Sequence, residues 1–99
     1  MNIVIPVAER DPDSTVCPIG KRACFALMAL DEQNRISTID FFDDKETLFE
    51  SCDILVVMNP DEDLEEFSER GIPVLMAEYG ATIEDIHEAF MFRQLRELG

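Results

Sequence analysis

Ile54-Leu55-Val56-Val57-Met58 is an uninterrupted apolar run, entered from Asp53 and left through Asn59-Pro60. An alternating strand can leave one face in water. A run with no polar break has to be covered on both faces, as an interior strand is when helices pack on its sheet. Two further segments share its character. Ile3-Val4-Ile5-Pro6-Val7 is short and rich in β-branched residues, and Pro6 must either end its ladder or sit where no donor is needed. Ile72-Pro73-Val74-Leu75-Met76 reads as the last strand, set toward a sheet edge because Pro73 cannot donate.

Between these runs the pattern changes. Ala23 to Leu30 reads as a second strand, Asp31-Glu32-Gln33-Asn34 as a polar turn, and Arg35 to Phe41 as a third strand. Its alternation places Ile36, Thr38 and Asp40 on one face, with Ser37, Ile39 and Phe41 on the other. Asp43-Asp44 opens a short helix through Leu48, Phe49 and Ser51, where acids favour the N-terminal end. Asn59 or Asp61, with Pro60, caps a second helix with Leu64 and Phe67 inward and Gly71 as its stop. Thr82 and Asp85 have the spacing of a capping box. From Ile83 the helical spacing of Ile86, Phe90, Met91/Phe92, Leu95 and Leu98 predicts a helix reaching the C-terminus. The resulting order, β, long loop, β-hairpin, α, β, α, β, α, predicts an α/β fold. Its mixed sheet has five strands and about three helices, with right-handed crossovers among the later units.

Residues 1–99 are the length of one domain, and the 46% hydrophobic content is enough for a core without disulfide or metal staples. The formal net charge of −14 repels phosphate backbones and anionic lipid surfaces, so neither nucleic acid nor membrane is expected as a partner. It leaves room for a basic protein, or for an anion held in a locally positive pocket. The first residues have no basic n-region and no long apolar run, which predicts a cytoplasmic protein. Cys17, Cys24 and Cys52 form no C-x-x-C and no regular spacing, so reduced thiols are expected.

The order of elements combines with local matches. Met1-Asn2-Ile3-Val4-Ile5-Pro6-Val7 opens the chain, and Asp13-Ser14-Thr15-Val16 and Arg22-Ala23 precede the second strand. Gly71-Ile72-Pro73-Val74 follows, and Gly80-Ala81-Thr82-Ile83-Glu84-Asp85 enters the final helix. In this the chain resembles the dinitrogenase iron–molybdenum cofactor biosynthesis family, over nearly its whole length. The resemblance implies a ribonuclease H-like fold and a non-enzymatic accessory role, binding or carrying a metal–sulfur cofactor or precursor alongside a protein partner in cofactor assembly. Two departures bear on that role. Many members carry His-Phe-Gly-Arg in the loop after the first strand, where this chain has Ile19-Gly20-Lys21-Arg22 and keeps only the arginine. Many have a glycine-rich stretch before the central helix, where this chain has Phe42-Asp43-Asp44-Lys45-Glu46-Thr47. An anionic cluster meets more repulsion and fewer backbone donors there.

The loop from Ser14 to Arg22 is the candidate site. Cys17 is the candidate metal ligand as a thiolate, Lys21 and Arg22 lower its pKa and attract anions, and Ser14 shapes the loop. The plainer reading is a turn whose basic pair offsets nearby acids. Cys24 and Cys52 read as packing residues, and Cys17 and Cys24 are too far apart for a usual zinc knuckle. His87, the single histidine, reads as a helical surface or packing residue, and nothing positions Ser14 or Cys17 against it. A metal-dependent nuclease needs clustered carboxylates. The ribonuclease H-like form that the resemblance implies places one on the first strand in its nucleases, where Ile3, Val4 and Ile5 stand, and Asp40, Asp43 and Asp44 alone do not substitute. Glu9, Asp11 and Asp13 lack the glycine and distal glutamate of an EF-hand loop, and Asp61-Glu62-Asp63 with Glu65-Glu66 reads as a solvated helix face. The rival to a cofactor carrier is a diverged member without cofactor, serving as a protein-interaction or regulatory module through its acidic surface.

Overall fold

The computed structural model describes residues 1–58 and 64–98. Its strands are β1 (Asn2–Val7), β2 (Cys24–Leu30), β3 (Ile36–Phe42), β4 (Ile54–Val57), β5 (Val74–Met76) and β6 (Arg96–Leu98). The helices are α1 (Lys45–Ser51), α2 (Glu65–Glu69) and α3 (Ile83–Met91). The strands form one mixed sheet in the order β3-β2-β1-β4-β5-β6. β1, β4 and β5 run parallel, while β2, β3 and β6 pair antiparallel to their neighbours.

Alternation along the strands builds two apolar layers. Ile3, Ile5, Val7, Ala26, Met28 and Val56 face α3, which closes that layer with Ile83 and Ile86. Val4, Phe25, Leu55, Val57 and Val74 face the opposite way, covered by Leu48 of α1 and Phe67 of α2. The expected α/β class and mixed sheet are therefore present, with helices on both faces. The apolar run in β4 is buried on both sides, as its lack of polar breaks requires.

Three expectations are corrected. The final helix stops at Met91, and the residues beyond it return as β6, so the sheet has six strands among the described residues. The stop is a Schellman arrangement: Gln94 N–H donates to Ala89 O at 2.8 Å and Arg93 N–H to Phe90 O at 3.2 Å. Arg93 occupies the left-handed position, at φ 56°, where glycine is usual. Second, β5 is not the edge strand, because β6 pairs outside it through Val74↔Leu98, Leu75↔Glu97 and Met76↔Arg96. Pro73 lies just before β5, and its carbonyl accepts from Leu55 N–H at 3.0 Å, so its missing donor interrupts no pairing of β5. Third, Ile36 packs on the α3 side with Ile39 and Phe41. The β2–β3 register shifts between Ala29↔Thr38 and Leu30↔Ile36, and the extra residue, Ser37, reverses the phase of the strand.

The helix starts follow their capping chemistry. Thr82 Oγ1 accepts from Asp85 N–H and Asp85 Oδ2 accepts from Thr82 N–H, both at 3.1 Å, completing the capping box. Asp44 caps α1 by accepting from the Thr47 hydroxyl and the Thr47 N–H. The sequence signals at Asn59, Pro60 and Asp61 lie outside the described residues. At the far end of α2, Gly71 takes φ 73°, as a helix stop requires.

The Thr47 hydroxyl, followed by its N–H, holds the Asp44 carboxyl below its ordinary pKa. A depressed folded-state value contributes stability above the unfolded carboxylate pKa of about 3.9, which is lost as pH falls through the folded value. Asp44→Asn removes the titration while keeping an acceptor for the cap. Its acid unfolding is expected to be shallower below about pH 4 than that of the unaltered chain, with near-equal stability at neutral pH. Circular dichroism across an acid titration checks this, and identical acid limbs would contradict it.

Candidate functional site

Beyond Val4 the central strand loses its parallel neighbour, because β1 pairs β4 only at Ile3↔Ile54 and Val4↔Leu55. Pro6 falls in that unpaired half. Its carbonyl points away from β2 and accepts from Cys17 N–H at 3.0 Å, so the edge on which it lacks a donor is not a β4 ladder. The long loop fills the opening. Val16 pairs antiparallel with Val7, and Ala8 N–H donates to Thr15 O at 3.1 Å. On its other side Thr15 bridges Thr82, and Val16 N–H donates to Ala81 O at 2.8 Å. Carboxyl ends of strands where the chain changes direction are the usual ligand crevice of α/β sheets. Here the protein's own Thr15-Val16-Cys17 segment occupies the β1 side of it.

The four residues singled out from sequence have different surroundings. Ser14 is buried, and its Oγ accepts from Glu9 N–H at 2.8 Å, closing the loop's first turn. Cys17 is also buried, 8% exposed, within the plug. Lys21 is exposed, at the end of a single 3₁₀ turn over Ile19–Lys21. Arg22 folds back on the loop: its Nη1 donates to Ile19 O at 2.8 Å, and its guanidinium lies 4.3 Å from the Phe25 ring centre. This loop thus buries its thiol and commits part of its arginine to structure. Among the described residues no group of three His, Cys, Asp or Glu side chains is placed to hold a metal ion. Ser14→Ala strands Glu9 N–H beside the loop and is expected to cost about 1–2 kcal/mol in a urea titration. A loss below a few tenths would show that the hydroxyl does not close the turn.

The other thiols are insulated. Burial raises the Cys24 pKa, and burial pushes Cys52 up to about 12, so both stay protonated at neutral pH. His87 is half-buried, and its Nε2 lies 2.8 Å from Asn34 O. A carbonyl only accepts, so that nitrogen carries the proton and ties α3 to the β2–β3 turn. Asn34 itself sits at φ 62°.

A cleft of about 350 Å³ opens at the carboxyl end of β5, between the loop to α3 and the residues after that helix. Ala77, Ile86 and Leu95 form its apolar wall, with Glu78, Asp85 and Glu88 among its polar lining. A second hollow of about 330 Å³ shares Met76, Ala77, Glu78, Tyr79 and Gln94 with it, and adds Met58 and Arg96. None of Ser14, Cys17, Lys21 and Arg22 lines either one. The sequence reading missed this region because it carried Gln94 and Arg96 onto a continued helix. The available signal was Tyr79, an aromatic between Glu78 and Gly80 that is 89% exposed and therefore does not serve the core.

No family model matches the sequence, and no curated protein matches it. Solved structures do match. The apo form of the orange protein from Desulfovibrio gigas has a TM-score of 0.79 at 16% identity, over 99% of this chain and 92% of that one. A "putative NifB protein" from Thermotoga, of the DUF35 family, has 0.78 at 16% identity, over 97% and 91%. A "putative dinitrogenase" from Methanocaldococcus jannaschii has 0.75 at 16% identity, over 100% and 97%. The fold is shared. At such identities the likeness reaches the path of the chain and not its chemistry, and it spans nearly the full length of each neighbour. Among the described residues, no helix is long and apolar enough to cross a membrane.

Proposed function

We propose that this chain is a non-enzymatic accessory protein that binds or carries a metal–sulfur cofactor of iron–molybdenum type, or a precursor of one, as cargo. The observation that carries the reading is the near-complete overlap with the orange protein and with structures named for NifB and dinitrogenase. The core order β3-β2-β1-β4-β5, mixed and covered by helices, supports the ribonuclease H-like form that the sequence resemblance implies. The chain acts as one domain in the cytoplasm, with a protein of cofactor assembly as partner.

The donor set restricts the form of the cargo. One buried thiol, Cys17, cannot complete a coordination shell. A preassembled cluster bringing its own sulfides suits this loop better than a bare ion. Lys21 and the remaining N–H groups of Arg22 supply the charge that such an anion needs. The test is anaerobic purification, then incubation with ferrous iron, sulfide and molybdate, desalting, metal analysis and a visible spectrum. Retained metal with visible absorbance is expected, falling severalfold when Lys21 and Arg22 are both replaced by Gln. A colourless, metal-free protein in each trial overturns the reading.

The burial of Cys17 and the net charge of −14 favour a second reading, in which a cofactor-free chain serves as an interaction or regulatory module. Its mark is co-purification with a basic protein, weakened by salt.

A further inference from the structure

We infer that the cleft between β5 and α3 is a binding site for an organic cation: an ammonium or guanidinium group on a short apolar stem. The inference is independent of the cargo reading, since no residue of the Ser14–Arg22 loop that was assigned to cargo lines the cleft.

Its floor and its rim differ in chemistry. Ala77 is buried and Ile86 is 1% exposed, and with half-buried Ala89 and Leu95 they give the hollow an apolar wall. The volume of about 350 Å³ lies within the range of small-ligand pockets. Glu78, Asp85 and Glu88 are exposed around that wall, while Arg96 lines only the adjoining hollow. Asp85 Oδ2 already accepts from Thr82 N–H, so its charge is held in place by the start of α3. Tyr79 stands on the rim, 89% exposed, and Gly80 beside it takes φ 82°. An aromatic ring and carboxylates lining one cleft suit a cation, which is drawn to both. An anion of the same shape meets three carboxylates instead.

The chemistry could be delivered by a free amine or by a lysine or arginine side chain of a partner, and one experiment separates these sources. The full chain, labelled with nitrogen-15, is titrated with n-hexylamine, with hexanoate, and with a short neutral-flanked lysine peptide blocked at both ends. Hexylamine is expected to give saturable shifts confined to amides of residues 77–81, 85–89 and 94–96, with hexanoate binding about tenfold more weakly or not at all. Peptide binding at least as tight as hexylamine assigns the cleft to a protein side chain, and hexylamine binding alone assigns it to a free amine. Ala89→Leu fills the hollow on a helix that tolerates leucine, and is expected to lower affinity about tenfold. Glu78→Gln with Glu88→Gln, both at exposed positions, is expected to do the same without altering thermal unfolding. Equal binding of hexanoate overturns the inference, as do shifts spread over Asp31, Asp43 and Glu65, and so does unaltered hexylamine affinity in the glutamine variant.

Discussion

Phe25→Ala is expected to remove about 3–5 kcal/mol of folding stability. Phe25 is fully buried in β2, the strand between central β1 and edge strand β3. Its ring packs on Phe42 with centroids 5.4 Å apart, and Arg22 covers it from the loop. Deleting the ring loses its transfer free energy and leaves a cavity. The backbone on both sides is held by the β1–β2 and β2–β3 ladders, so the site cannot collapse to fill it. A domain of this size has about 5–15 kcal/mol in total, and the loss would take a large share of it. A urea titration should show a lower midpoint with an unchanged slope. Phe42→Ala, at a half-buried edge position, should cost less. A Phe25→Ala loss below about 1 kcal/mol would show that the ring is not packed as described.

What could be read in advance depended on how local its cause was. The β4 run, the start of α1 at Asp43-Asp44 and the Thr82–Asp85 box are set by neighbours within a few residues, and each appears where the sequence puts it. β6 failed for the opposite reason. Phe92, Leu95 and Leu98 keep a helical spacing, whereas Arg96-Glu97-Leu98 has no alternating apolar pattern of its own. Its strand state comes from the free edge of β5, about twenty residues earlier, and from a left-handed Arg93 that propensity disfavours. The phase reversal at Ser37 was likewise hidden, because a bulge is defined by the partner strand. At the candidate site, sequence proximity of Ser14, Cys17, Lys21 and Arg22 suggested a shared task. Long-range bonds to Pro6, Val7 and Ala81 decide which of them face inward, and no local pattern carries those bonds.

Val16→Asp tests the plug directly, and its expected result has two parts. Val16 is 3% exposed and packs in the layer that contains Val7, Ile83 and Ile86. The described residues of that layer are apolar and give a carboxylate no compensation, so the folded loop is expected to lose about 3 kcal/mol or more. The loss need not fall on the whole domain. The loop's ties to the β1 edge and to the segment before α3 run through Cys17 N–H, Ala8 N–H and Val16 N–H, and these can break while the six-stranded sheet stays paired. Local opening is then the cheaper route for the strained chain. Hydrogen exchange should show these three amides losing protection, while Ala26 and Val56 amides keep theirs. Cys17 should at the same time become reactive toward a thiol reagent, with Cys52 still held protonated by burial. Uniform loss of protection in the sheet and loop together would show that the loop is an integral part of the core. Protection unchanged at all three amides would show that Val16 does not hold the plug. Local opening would make the crevice beside β1 accessible and expose the Cys17 thiol, so metal retention should be measured on the same variant. A gain there, against the closed parent, would place Cys17 on the cargo's path; no gain would leave Lys21 and Arg22 as its contacts.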